Sequence, residues 1–159
     1  MNDLLTILER LLRHRLEFVL VGGQAAIVHG ATLVTRDVDV CMPFGPENLG
    51  RLEAGLAGFH PVHRMTPQAL PFRPADFAPG AIKNLYLKTD VGMLDCLGEI
   101  AGVGPFEVVA RRSVEITLPI GPCRVLDLEA LIDAKSALDR VQDRLALIQL
   151  KAIRDRPRG

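Results

Sequence analysis

The chain has 159 residues, enough for one domain with a real core and little room for a second. Its 19 basic and 19 acidic residues give a net charge of +0, which argues against a protein whose main task is coating nucleic acid. Hydrophobic residues make up 48% and charged residues 24%, as in a soluble globular domain, and no apolar run is long enough to cross a bilayer, so no membrane partner is expected.

The N-terminal MNDLLTILERLL carries acidic residues and lacks a small-residue cleavage site, so it reads as a helix and not as a signal peptide. Leu4, Leu5, Ile7, Leu8, Leu11 and Leu12 recur at helical spacing, predicting a helix over 3–14 with Asn2 as its N-cap, laid over one face of a sheet. Phe18 to Val21 is a continuous apolar run, the pattern of a strand buried on both faces. A short helix is expected over Gln24 to His29, ended by Gly30.

Gly22 and Gly23 lie between that strand and helix. A Gly-Gly pair is most simply a tight turn, but the amides of a helix that follows it can also face an anion. The next strand carries Asp37 and Asp39, which a period of two projects from one side, with Val38 and Val40 on the other. Close carboxylates repel, and such a pair persists when a cation or a shared proton lies between them. In this order and spacing the two signals suggest metal-assisted chemistry on a nucleotide. Arg36, just before the aspartates, could neutralise them, touch a phosphate or simply be solvated.

Glu47 to Leu56 reads as a second amphipathic helix, introduced by Gly45 and Pro46. Pro61, Pro67, Pro71, Pro74 and Pro79 then rule out a long helix or a central strand, leaving a long loop beside the site. Arg64 and Arg73 on it are either substrate contacts or solvated charges. His60 and His63 lack further ligands nearby, so no zinc site is expected there. The odd, widely spaced Cys41, Cys96 and Cys123 suit reduced, mostly buried thiols in a cytoplasm.

Asn84 to Lys88 and Met93 to Leu97 read as a hairpin around Thr89-Asp90-Val91-Gly92. Asp95 falls in the apolar run MLDCL, where a charge is costly without a partner. It either pairs with an arginine or a backbone amide, or it is delivered beside Asp37 and Asp39 as a third metal ligand, with Asp90 the weaker candidate. Ser113 to Ile120 and Cys123 to Leu126 suggest a second hairpin turning at Gly121-Pro122. Asp127 is a good N-cap for a helix starting at Leu128, on which Lys135 shares a stripe with Leu128, Leu131 and Leu138 and could reach a carboxylate cluster or a phosphate. Arg140 and Asp143 open a last helix, whose buried stripe is expected to be Val141, Leu145, Ile148 and Ala152. Residues 154–159 read as a frayed tail, giving a single domain over 1–159 with its core at about 16–150.

VGGQAAIVHG followed by TRDVDV resembles the Gly-Gly or Gly-Ser, then Asp-x-Asp, signature of the DNA polymerase β-like nucleotidyltransferase superfamily. The resemblance is to its small bacterial branch, the minimal nucleotidyltransferases and the nucleotidyltransferase toxins of abortive-infection toxin–antitoxin pairs. GMLDCLG is similar to the strand bearing that family's third carboxylate, and VLDLEALIDAKSALDRVQDRLAL to its C-terminal segment, so the resemblance spans about Phe18 to Leu150. It implies an α+β nucleotidyltransferase fold, a mixed β-sheet flanked by helices. It implies transfer of a nucleoside monophosphate from a nucleoside triphosphate to a protein, RNA or small-molecule acceptor, with Mg2+ or Mn2+. Asp37, Asp39 and Asp95 would bind metal. Gly22, Gly23 and Gln24 would hold the triphosphate, with Lys135, Arg140 and Asp143 on the phosphate side. Many active members have Ser where this chain has Gly23. The resemblance further implies a toxin–antitoxin component with a cognate antitoxin protein as partner, or else a catalytically inactive nucleotide-binding or protein-interaction module of the same fold.

Overall fold

The computed structural model describes residues 3 to 157; the N-cap expected at Asn2 lies outside them. The elements in chain order are α1 (Asp3–Arg13), β1 (Val19–Val21), α2 (Gly22–Val28), β2 (Asp37–Cys41), α3 (Pro46–Leu56), β3 (Val62–His63), β4 (Asn84–Thr89), β5 (Gly92–Leu97), β6 (Glu99–Ile100), β7 (Gly104–Pro105), α4 (Phe106–Arg111), β8 (Ser113–Leu118), β9 (Gly121–Leu126), α5 (Leu128–Leu138) and α6 (Val141–Arg154). Seven strands form one mixed sheet in the order β3-β4-β5-β2-β1-β9-β8, and β6 and β7 pair separately. Strand β2 runs parallel to β5 and antiparallel to β1, and β1 runs parallel to β9.

Alternation along β2 and β5 decides which face is the core. Val38, Val40, Leu94 and Cys96 are fully buried together with Ile7 and Leu11 of α1 and with Leu52 and Leu56 of α3. The expected first and second helices are both present, and α1 packs on α3 and on β2, β5 and β9. The expected strand before the glycines is β1, buried throughout. The helix after it begins earlier than expected, at Gly22 itself. Gly30 follows it with φ +111°, a value few other residues adopt.

The first hairpin is as expected, with a two-residue turn at Asp90-Val91. The second turns at Pro119-Ile120, two residues earlier than expected, because Gly121 and Pro122 already pair with Leu118 and Thr117. The Asp127 carboxylate accepts a hydrogen bond from the Ala130 amide at 2.7 Å and starts α5 where expected. The long loop contains the two-residue strand β3 and a 3-10 turn at Pro74–Asp76. The segment β6-β7-α4 had no counterpart in the sequence reading. Cys41, Cys96 and Cys123 are free and buried, and burial pushes all three thiols up, Cys123 to about 11.

Helix α6 overturns the expected stripe. Its buried residues are Asp143, Ala146 and Leu150, whereas Val141, Leu145 and Ile148 are exposed and so is Ala152. The two faces of α6 are both partly apolar, and packing against α5 selects the one that takes Asp143 inside.

Candidate functional site

One row of side chains crosses the sheet on the face opposite α1. In the parallel β2–β5 pair Asp39 lies in register with Asp95, and Asp37 with Met93. Partners in register share a face, so Asp95 projects on the same side as Asp37 and Asp39. On β4, Tyr86 stands opposite Asp95. Beyond β3 the chain keeps to β4, because the Arg64 amide donates to the Tyr86 carbonyl at 3.0 Å. Arg64 is thus fixed at the outer end of the row, and its Nη2 donates to both Asp95 oxygens at 2.5 and 2.6 Å. Its guanidinium carbon also lies 5.4 Å from the centroid of the Tyr86 ring, a cation–π contact.

At the inner end of the row stands Gly22, with φ +69°. A Cβ there would overlap Asp39 Oδ2, so the glycine is required by both its backbone and its neighbour. Gly22→Ala is expected to cost roughly 2 kcal/mol of stability in urea unfolding, from strain and overlap together. Gly23 is helical instead, and a Cβ there would press on Thr35. Gln24 follows in the first turn, half-buried.

Burial, then the charges of Asp95 and Asp37, push Asp39 up to about 6. Lys135 and Arg64 act against that rise. Asp95 is also raised, by burial, with Arg64 opposing. Lys135 is held by Asp143, at 3.3 Å from Nζ to Oδ1. Asp143 accepts a further bond from Arg140 Nε at 2.6 Å. The Arg140 hydrogen bond, more than any other influence, holds the Asp143 carboxyl below its ordinary range. Asp143 is 0% exposed, so it reaches a ligand only through Lys135 and Arg140. Asp143→Ala would leave the partly buried Lys135 without its partner and is expected to cost about 2–3 kcal/mol in denaturant unfolding. Because its folded pKa is lowered, the stability Asp143 contributes is present above the ordinary carboxylate pKa and is lost as pH falls through the folded value.

The remaining candidates lie outside these contacts. Arg36 and Arg73 are exposed. Asp90 pairs with His60 at 2.6 Å, away from the row, and His63 packs edge-on against Phe72 and Phe77. Tyr86 was not singled out by sequence, although the two-residue turn at Asp90-Val91 sets it opposite Asp95.

Asp37 and Asp39 suit a divalent cation: both are carboxylates on one strand face, and Asp39 carries repulsion that a cation would relieve. The third ligand expected from the sequence is Asp95. Asp95 has the right face and register, but Arg64 holds both its oxygens, and among the described residues no three His, Cys, Asp or Glu side chains gather as a metal-holding group.

No known family's sequence profile matches the chain, and no curated protein does. Among the described residues no helix is long and apolar enough to cross a membrane. Two solved structures are similar to it. The crystal structure of ANT(2'')-Ia in complex with adenylyl-2''-tobramycin superposes with a TM-score of 0.56 at 18% identity, over 92% of this chain and 84% of that one. The solution structure of the antibiotic-resistance factor ANT(2'')-Ia gives 0.55 at 18% identity, over 96% and 87%. The carboxylate row on a mixed sheet flanked by helices therefore stands in an α+β chain with the nucleotidyltransferase fold.

Proposed function

We propose that this chain transfers a nucleoside monophosphate from a nucleoside triphosphate to a hydroxyl acceptor, with Asp37 and Asp39 holding a divalent cation, Mg2+ or Mn2+. The observation that carries this reading is the in-register pair Asp39 and Asp95 on neighbouring parallel strands, with Asp37 on the same face and Gly22 beside Asp39. When bound, the cation supplies positive charge to the phosphoryl oxygens.

Gly22 lets the Asp39 carboxylate lie against the turn, and the first amides of α2, which follow that turn, would donate toward the triphosphate oxygens. Lys135 and Arg140, tied to each other through Asp143, face the departing diphosphate. That arrangement fixes charge where it develops, which is the main lever in phosphoryl chemistry. Asp95, once parted from Arg64, accepts the acceptor's proton. A small-molecule hydroxyl is the favoured acceptor, by analogy with the adenylylated tobramycin held by a structural neighbour. Placement in the small bacterial branch, with a toxin–antitoxin role and a cognate antitoxin, rests on the sequence resemblance alone.

The test is incubation with nucleoside triphosphates labelled at the α-phosphate, Mg2+ or Mn2+, and a panel of hydroxyl acceptors. A labelled acceptor with released diphosphate is the expected result. Failure of cation plus triphosphate to raise the melting temperature would overturn nucleotide binding itself. The Arg64–Asp95 pair favours a second reading, a module that binds nucleotide without turnover. A raised melting temperature with no labelled product from any acceptor would select it.

A further inference from the structure

We propose that the outer face of α6 is a docking site for a partner helix whose own flanks are acidic. Val141, Leu145 and Ile148 are 70%, 60% and 67% exposed, and Leu138 at the end of α5 is 45% exposed. With Ala152 they alternate at spacings of four and three, a narrow seam of period 3.5. A broad stripe belongs to a helix lying on a sheet or core, whereas this narrow one fits a single α-helix. Apolar side chains this exposed and this regularly spaced mark an interaction surface. Val34, 98% exposed, lies on the loop that Thr32 ties to Gln149 of α6 through bonds of 2.6 and 3.1 Å. The patch thus extends toward the segment that leads into Asp37.

Charge chooses the occupant. The positions flanking the seam on α6 are Gln142, Arg144, Gln149 and Lys151, with no acid among them. A second copy packed antiparallel would set Arg144 and Lys151 against their own counterparts, and like charges across such a seam are unfavourable. An incoming helix with Glu at its flanking positions meets both cations favourably. Arg144 now pairs with Asp139 at 3.0 Å, but both groups are well exposed, so little is lost in exchanging that partner.

The test uses two synthetic helices of about four heptads with Leu at both seam positions, one flanked by Glu and the other by Lys. Binding of each labelled helix to the full chain is followed by fluorescence anisotropy. The Glu helix is expected to bind at least tenfold more tightly than the Lys helix at low salt, with the difference shrinking as salt is raised. Leu145→Ser with Ile148→Ser should weaken Glu-helix binding at least tenfold while the melting temperature holds, since both side chains are exposed. Arg144→Glu with Lys151→Glu should reverse the preference. Equal binding of the two helices, or none of either, would overturn the proposal. So would a dimer of the chain alone at micromolar concentration that Leu145→Ser dissociates, since the occupant would then be a second copy.

Discussion

Asp39→Asn is expected to abolish labelling of any acceptor, at least a thousandfold, while making the cation-free protein more stable. Asp39 is the central member of the row, in register with Asp95 and pressed on Gly22, so its loss removes the carboxylate that a bound cation needs most. Stability moves the other way because the folded protein holds this acid at about 6. A raised folded pKa means that ionising the group opposes folding. Between the ordinary carboxylate value and about 6 the native state binds more protons than the unfolded chain, so stability falls as pH rises through that window. The neutral amide escapes this penalty. At pH 7–8 the variant should gain about 2 kcal/mol, allowing for a partly exposed site, and near pH 4 the gain should vanish. Urea unfolding at the two pH values checks it. Loss of stability at pH 8 would mean that Asp39 holds the fold together and is not kept for a ligand.

Arg64→Ala carries the second large effect. Nη2 of Arg64 alone bonds both oxygens of Asp95, and a cation or an acceptor proton must compete with that charge-assisted contact. Removing the guanidinium should tighten binding of Mg2+ or Mn2+ at least tenfold by titration calorimetry. Without cation the variant should lose about 2 kcal/mol at pH 8, because Asp95 is left partly buried without its partner, and should recover as pH falls. The sign follows from Asp95 being raised by burial even with Arg64 present. Cation affinity that stays the same or falls would show that Arg64 does not compete for this carboxylate. Arg64→Lys, which keeps a positive charge without the planar guanidinium, should fall between the two.

Much of this site was legible before folding. Asp37 and Asp39 had to share a face because a strand alternates, and Gly22 had to sit at its turn because the chain leaves the strand with positive φ. The need of Asp95 for a partner was legible too, since a carboxylate inside MLDCL is costly alone, but its place beside Asp39 comes from the pairing of β2 with β5. The identity of that partner could not be read. Arg64 precedes Asp95 by 31 residues and enters through a two-residue strand hidden in a proline-rich loop, where no periodicity marks it. The contact exists because β3 continues the β4 ladder, which is a property of pairing and not of local sequence.

Helix α6 shows the same division. Its helical character, its start after Arg140 and its apolar seam were all written in the spacing of its residues. Which face turned inward was not, since Asp143 is a poor candidate for burial until Lys135 and Arg140 are in place to neutralise it. The sequence by itself determined most of the elements, though not β3 or the segment β6-β7-α4, together with the alternation that aligns two aspartates and the glycine beneath them, because these depend on neighbours in the chain. Only the tertiary structure decided that Arg64 closes on Asp95, that Asp143 goes inside and that Leu145 and Ile148 stay outside, because each of those outcomes is set by a charge or a surface delivered from a distant element.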